Sequence, residues 1–149
     1  MKAIEGGSGR PPEPNWTKYF PGANAKADRA NASLYWNESA DELQRDQKLS
    51  ITNGHALRRL VTAYILYDRE AAIVAKEGPI ISAPKTGTPM HNPHAQAMRS
   101  LSRMAAEIEA ELTLSPRRRS SGGKVPPPNK RTDADKYLKP VPNVDPRDD

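Results

Sequence analysis

Two histidines, His91 and His94, are the side chains in this sequence best suited to metal chemistry. They lie three residues apart in His91-Asn92-Pro93-His94, and imidazole nitrogens are common zinc ligands. A zinc site needs further ligands, but no carboxylate lies nearby and the sequence contains no cysteine. The sequence therefore predicts no metal site. A metal enzyme built on these two histidines is an alternative that no other feature of the chain supports.

The other groups that could take part in catalysis lack the arrangement that catalysis needs. Ala83-Pro84-Lys85-Thr86-Gly87 contains a Lys-Thr pair, but no glycine-rich loop precedes it to hold a phosphate. Glu107 and Glu111 lie four residues apart on a predicted helix, where two solvated carboxylates are the ordinary interpretation. No serine occurs in a nucleophile-elbow sequence. The sequence therefore predicts a protein without catalytic residues or cofactors.

Basic residues are the remaining group with chemistry to offer, and they favour a nucleic-acid partner. The chain contains 23 Lys and Arg against 18 Asp and Glu. From residue 116 onward, there are nine Lys and Arg and five Asp and Glu. Cations that neutralise phosphates release counterions, which gives salt-dependent binding to DNA. A solvated basic tail without a partner is the alternative. The predicted DNA-binding residues are Arg58, Arg59, Arg117, Arg118, Arg119 and Lys124.

Proline and apolar residues divide the chain into three segments. Of the 15 prolines, four lie before Ala23 and six after Ser121, whereas apolar residues gather between these positions. Proline-rich polar segments bury too little apolar surface to offset the entropy of ordering. We therefore predict a flexible arm over residues 1–26, a helical core and oligomerisation domain over 27–119, and a disordered, basic, proline-rich tail over 120–149.

Apolar spacing predicts three helices within the core. The first spans about residues 27–47, where one narrow, mostly apolar stripe with three- and four-residue spacing comprises Ala32, Trp36, Ala40, Leu43 and Gln47. The second can be capped by Thr52 or Asn53 and ends at Gly78-Pro79, and Asn92-Pro93 is typical of the start of the third. A glycine, Gly54, falls within the first turn expected for the second helix. The apolar stripe of that helix follows a 3.6-residue period through Leu57, Leu60, Val61, Tyr64, Tyr67, Ala71 and Val74.

A short β-ribbon is predicted between the second and third helices. Prolines at positions 79, 84 and 89 exclude a central strand but permit edge strands around a turn. The predicted fold is therefore mostly α, a thin bundle of three helices with this ribbon, flanked by disordered arms. The apolar face of the third helix can pack within the chain or between subunits. The predicted oligomer interface comprises Met98, Leu101, Met104, Ala105, Ile108 and Leu112.

The order of these features resembles that of phage terminase small subunits. A long helix ends in Ala75-Lys76-Glu77-Gly78, an apolar ribbon with a Lys-Thr-Gly turn follows, and the segment from Thr88 to His94 opens the next helix. That helix ends in Glu111-Leu112-Thr113-Leu114-Ser115-Pro116-Arg117, and Tyr35-Trp36 and the Gly-Arg-Pro-Pro start also fit. The resemblance covers about residues 27–119 and rests on the ordered set, since no single motif is specific.

The resemblance implies an accessory role in packaging a phage genome. Small terminase subunits recognise viral double-stranded DNA, assemble into closed rings of about eight to ten copies, and deliver the DNA to the large subunit. The large subunit holds the ATPase and nuclease. The resemblance also implies action in the host cytoplasm, and no apolar run in the sequence reaches the roughly 20 residues that a membrane span needs. The alternative is a monomeric or dimeric basic nucleic-acid-binding regulator.

Overall fold

The computed structural model describes residues 9–115 of the 149-residue chain. Three long helices and a two-stranded ribbon dominate this part, which confirms the mostly helical fold with a ribbon between the second and third long helices. No described helix is both long and apolar enough to cross a membrane. The elements, in chain order, are α1 (Trp16–Tyr19), α2 (Lys26–Arg45), α3 (Gly54–Glu77), β1 (Ile80–Ser82), β2 (Pro89–His91) and α4 (Pro93–Glu111), with 3-10 turns at Ala23–Ala25 and Ile51–Asn53.

The helix α2 ends two residues earlier than predicted. Gln47 adopts a left-handed backbone with φ of 57°, so its exposed side chain does not continue the apolar stripe. The Lys48 N–H donates to the Leu43 carbonyl at 2.8 Å, the bond that closes a Schellman motif. The stripe up to that point is confirmed, since its apolar members are all buried: Ala32, Trp36, Ala40 and Leu43.

The contacts at the start of α3 explain why a glycine lies in its first turn. The 3-10 turn before the helix is closed by Ser50, whose N–H donates to Asn53 Oδ1 at 3.0 Å. Asn53 precedes α3 as predicted, but its side chain bonds back to Ser50 and does not cap the helix. A Cβ on Gly54 would lie 3.0 Å from Pro11 Cβ. Glycine at this position therefore allows the N-terminal segment to approach α3 closely.

The N-terminal segment is packed where a flexible arm was predicted, so the arm prediction is wrong for residues 9–26. Trp16 and Phe20 are buried, and the Trp16 ring meets the Trp36 ring of α2 edge-on with centroids 6.0 Å apart. Arg10 forms an ion pair with Asp41 at 2.5 Å. The physical reason is that closely spaced aromatic side chains bury a large area, which outweighs the ordering cost of this proline-rich stretch.

The ribbon and the helix that follows it are held by one asparagine. Strands β1 and β2 are antiparallel, with Ile81 opposite Met90. The fully buried Asn92 caps α4, because its Oδ1 accepts from the His94 N–H at 2.9 Å. Its Nδ2 donates to the Gly78 carbonyl at 2.9 Å and to Glu77 Oε2 at 3.1 Å. One side chain thereby ties the end of α3 to the start of α4, as the predicted Asn-Pro start permits.

Candidate nucleic-acid interface

The two adjacent arginines predicted to bind DNA lie on different surfaces of α3. Arg58 Nη2 lies 2.7 Å from His55 Nδ1, and Arg58 Cζ lies 5.7 Å from the centroid of the Tyr19 ring. Arg59 instead pairs with Glu111 of α4 at 3.6 Å, and both side chains are more than 60% exposed. Such exposed pairs contribute only about 0–1 kcal/mol, so Arg59 can exchange its partner.

Arg58 lies in an open groove between the N-terminal segment and the start of α3, which we call the N-terminal groove. Its volume is about 390 Å³. Lys18 and Tyr19 line it although sequence reasoning missed them, because residues 1–26 were predicted to be a flexible arm. The sequence did contain a signal that this segment packs: the aromatic residues Trp16, Tyr19 and Phe20 directly follow Asn15, a residue type that caps helices. The groove is lined by Pro11, Pro12, Glu13, Pro14, Asn15, Lys18, Tyr19, Trp36, Ile51, Gly54, His55 and Arg58.

The other predicted DNA-binding residues, Arg117, Arg118, Arg119 and Lys124, lie outside the described residues. Residues 9–115 contain 13 Lys and Arg against 12 Asp and Glu, whereas residues 116–149 contain nine against five. Most of the excess positive charge therefore lies beyond residue 115. Within the described part, basic character depends on where the individual cations lie, and the N-terminal groove brings Lys18 and Arg58 to one place.

The predicted subunit interface on α4 divides into two groups. Ala105, Ile108 and Leu112 are buried in the core of the single chain, because this side of α4 packs against α3. They therefore stabilise the protomer. Leu101 is partly buried against the same core, Met98 is half-buried, and Met104 is 49% exposed.

A second surface follows the side of the α3–α4 hairpin that carries the Arg59–Glu111 pair. Residues seven apart in a helix lie two turns apart on nearly the same side. Apolar residues lie seven and fourteen positions after Arg59 on α3, and seven and fourteen positions before Glu111 on α4. All four are at least partly exposed. We call this surface the hairpin face; its apolar members are Leu66, Ile73, Ala97 and Met104.

Two tyrosines connect the three long helices through hydrogen bonds to carboxylates. The Tyr35 hydroxyl of α2 donates to Asp68 Oδ2 at 2.8 Å, and the Tyr64 hydroxyl of α3 donates to Glu109 Oε1 at 2.5 Å. The two rings meet edge-on at 5.4 Å. Burial, followed by the bond to Glu109, raises the pKa of Tyr64. The bond to Asp68 is the main cause that raises the pKa of Tyr35.

The raised pKa of Tyr64 predicts a loss of stability at alkaline pH. The folded state favours the neutral hydroxyl, so its contribution is complete below pH 10.0, the usual pKa of tyrosine, and falls as pH rises above it. Tyr64→Phe should cost about 1 kcal/mol at neutral pH and should reduce the further decline between pH 10 and 12. Urea titrations followed by circular dichroism would measure both. An alkaline decline unchanged in Tyr64→Phe would contradict the assignment.

The two histidines considered for metal binding have separate surroundings. His94 Nδ1 lies 2.6 Å from Glu70 Oε2 of α3, and His91 is exposed at the end of β2, opposite Ile80. Within residues 9–115, no group of three or more His, Cys, Asp or Glu side chains could hold a metal ion. In the described part of the chain, His94 thus joins α4 to α3.

Comparison with known proteins yields one family. No curated protein and no solved structure matches the chain. Residues 32–127 match the family described as phage terminase, small subunit, and this span begins in α2 and includes all of α3, the ribbon and α4. Members of this family are generally non-catalytic regulatory subunits that act in DNA packaging. Because the match covers more than half of the 149 residues, the chain belongs to the phage terminase small subunits.

Proposed function

We propose that this protein recognises viral double-stranded DNA, assembles as a ring, and recruits or regulates the large ATPase and nuclease subunit in the host cytoplasm. The family match over residues 32–127 is the observation that carries the proposal. The copy number we propose is about eight to ten, within closed cyclic symmetry. The tail beyond Ser121 is the proposed contact to the large subunit, since a polar, proline-rich segment can fold upon a partner.

The proposed DNA contacts are the cations named from the sequence. On α3, Arg58 is half-buried and Arg59 is exposed, and the tail contributes Arg117, Arg118, Arg119 and Lys124. A ring presents one set of these cations per subunit, so weak contacts act together with high effective concentration. The excess of positive charge in residues 116–149 supports a role of the tail in DNA binding.

The hairpin face supports assembly between copies of the chain. The α2 contacts of α3 involve Tyr64, Asp68 and Arg69, and the hairpin face stays at least partly exposed within the protomer. A ring needs each copy to contact two neighbours through two different surfaces. We propose that the part of the α4 seam that is not fully buried, Met98, Leu101 and Met104, contributes to one of these contacts together with the hairpin face.

A charge placed on this surface should disrupt assembly. Met104→Lys would bring an unpaired ammonium into a desolvated contact, and we expect the concentration needed for assembly to rise at least about tenfold. Leu34→Lys is the matched control, because Leu34 on α2 is 53% exposed and Met104 is 49% exposed. Light scattering coupled to size exclusion would give the native mass of each variant.

The native mass of the wild-type protein decides between the two functional classes. A defined assembly of about eight to ten chains supports the packaging ring. A monomer or dimer at working concentration would favour the basic nucleic-acid-binding regulator instead. If Met104→Lys and Leu34→Lys both keep the full wild-type mass, the hairpin face is not the subunit contact.

A further inference from the structure

We propose that the N-terminal groove binds the phosphate backbone of duplex DNA, with Lys18 and Arg58 as its two cations. This inference rests on the proposed function. The groove provides positive charge, and the proposed role in DNA packaging indicates that the anion it binds is DNA. It goes further by placing one contact on the folded part of each protomer, in addition to the cations of the tail.

Tertiary packing brings the two cations together. Lys18 lies in α1 and Arg58 in the second turn of α3, 40 positions apart in the sequence. The buried Trp16 ring holds α1 against Trp36 of α2, and Gly54 lets Pro11 approach the start of α3. Both cations therefore line one groove that forms only when the N-terminal segment is packed.

Arg58 is held in a fixed orientation without a carboxylate. A guanidinium can only donate hydrogen bonds, so the contact at 2.7 Å requires His55 Nδ1 to accept and the imidazole to be neutral. The Tyr19 ring lies against the guanidinium, a favourable cation–π arrangement. A guanidinium that is already oriented loses less conformational freedom when it binds a phosphate.

The described carboxylates leave these two cations unpaired. Arg10, Arg59 and Arg69 each form an ion pair. Within residues 9–115, no carboxylate oxygen lies within 4.0 Å of the charged nitrogens of Lys18 or Arg58 as an ion-pair partner. The carboxylate of Glu13 lines the groove, but it accepts a hydrogen bond from Trp16 Nε1 at 2.9 Å. The groove thus presents a local positive charge although the described part as a whole is nearly neutral.

The test compares two double variants of equal charge in the full-length protein. Lys18→Ala with Arg58→Ala removes the groove cations, and Arg45→Ala with Lys76→Ala removes two exposed cations elsewhere. Binding to a labelled duplex is followed by fluorescence anisotropy between about 50 and 200 mM salt. The groove variant should bind at least about tenfold more weakly, and its salt slope should fall by about two per contacting subunit. The control should change affinity by less than about threefold.

Further variants separate loss of the site from loss of the fold. Arg58→Lys keeps the charge, so it should retain the wild-type salt slope with a smaller loss of affinity. Native mass and circular dichroism should match the wild type for each variant. A groove variant that binds no worse than the control overturns the inference. Loss of large-subunit binding with unchanged DNA binding would make the groove a protein contact, and this result also overturns it.

The inference and the proposed function fail in different ways. If Arg117→Ala, Arg118→Ala and Arg119→Ala together abolish binding while the groove variant binds normally, the proposed function stands and the groove is wrong. If the assembled wild-type protein shows no salt-dependent binding to duplex DNA, the DNA-recognition part of the proposed function is wrong, and the groove loses its ligand with it.

Discussion

Trp36→Ala is expected to lower the free energy of unfolding by about 3–5 kcal/mol, the usual range for removing a buried indole. Trp36 is 1% exposed in the middle of α2 and contacts the Trp16 ring at a centroid distance of 6.0 Å. The substitution therefore leaves a cavity and also removes the surface on which the N-terminal segment packs. Urea titration followed by circular dichroism at a fixed protein concentration would measure the change.

Leu34→Ala is the matched control for this prediction. Leu34 lies on the same helix two residues earlier and is 53% exposed, so its truncation should change stability by less than about 0.5 kcal/mol. Equal losses in the two variants would show that α2 is not oriented as described. A loss below about 1 kcal/mol in Trp36→Ala would contradict the burial of the indole.

Asn92→Ala is expected to lower the free energy of unfolding by about 1.5–5 kcal/mol. The loss of a helix N-cap costs about 0.5–2 kcal/mol. The substitution also leaves the Gly78 carbonyl without its bond from Nδ2, and a buried polar group without a partner costs about 1–3 kcal/mol. Thermal or urea unfolding would measure the sum. Asn31→Ala on the exposed side of α2 is the control, and it should be nearly neutral.

Asn92→Asp separates the cap from the connection between helices. Aspartate caps a helix about as well as asparagine, but its carboxylate would face the Gly78 carbonyl and the Glu77 carboxylate, both of which are acceptors. We therefore expect a clear destabilisation at pH 7 that becomes smaller towards pH 4, where the carboxyl can donate. Stability equal to that of the wild type at pH 7 would show that only the cap matters.

The long helices and the ribbon could be predicted because their signals are local. The apolar stripe of α3, its Gly-Pro end and the Asn-Pro start of α4 each act within a few residues. Spacing also predicted the buried positions of α2, except that Gln47 is exposed. Its left-handed backbone is uncommon for a residue other than glycine, and the sequence offers no signal for it.

The candidate site depends on contacts between distant residues, which spacing does not reveal. The sequence indicates that Arg58 and Arg59 are basic neighbours on a helix, but only packing shows Tyr19 beside one and Glu111 beside the other. The burial of Ala105, Ile108 and Leu112 within the protomer likewise follows from the position of α3. A periodic apolar seam is compatible with either use.

The order of the helices has a consequence for how the chain folds. Among residues 9–115, the longest-range side-chain hydrogen bonds join Tyr64 to Glu109, 45 positions apart, and Arg69 to Asp28, 41 positions apart, and the Arg59–Glu111 ion pair spans 52 positions. Each helix thus packs on the next one in the chain. Helical bundles in which sequential helices pack on one another fold within about microseconds to milliseconds. We expect the α3–α4 hairpin to form first and the N-terminal segment to dock last, so during synthesis the groove closes only after α3 has left the ribosome.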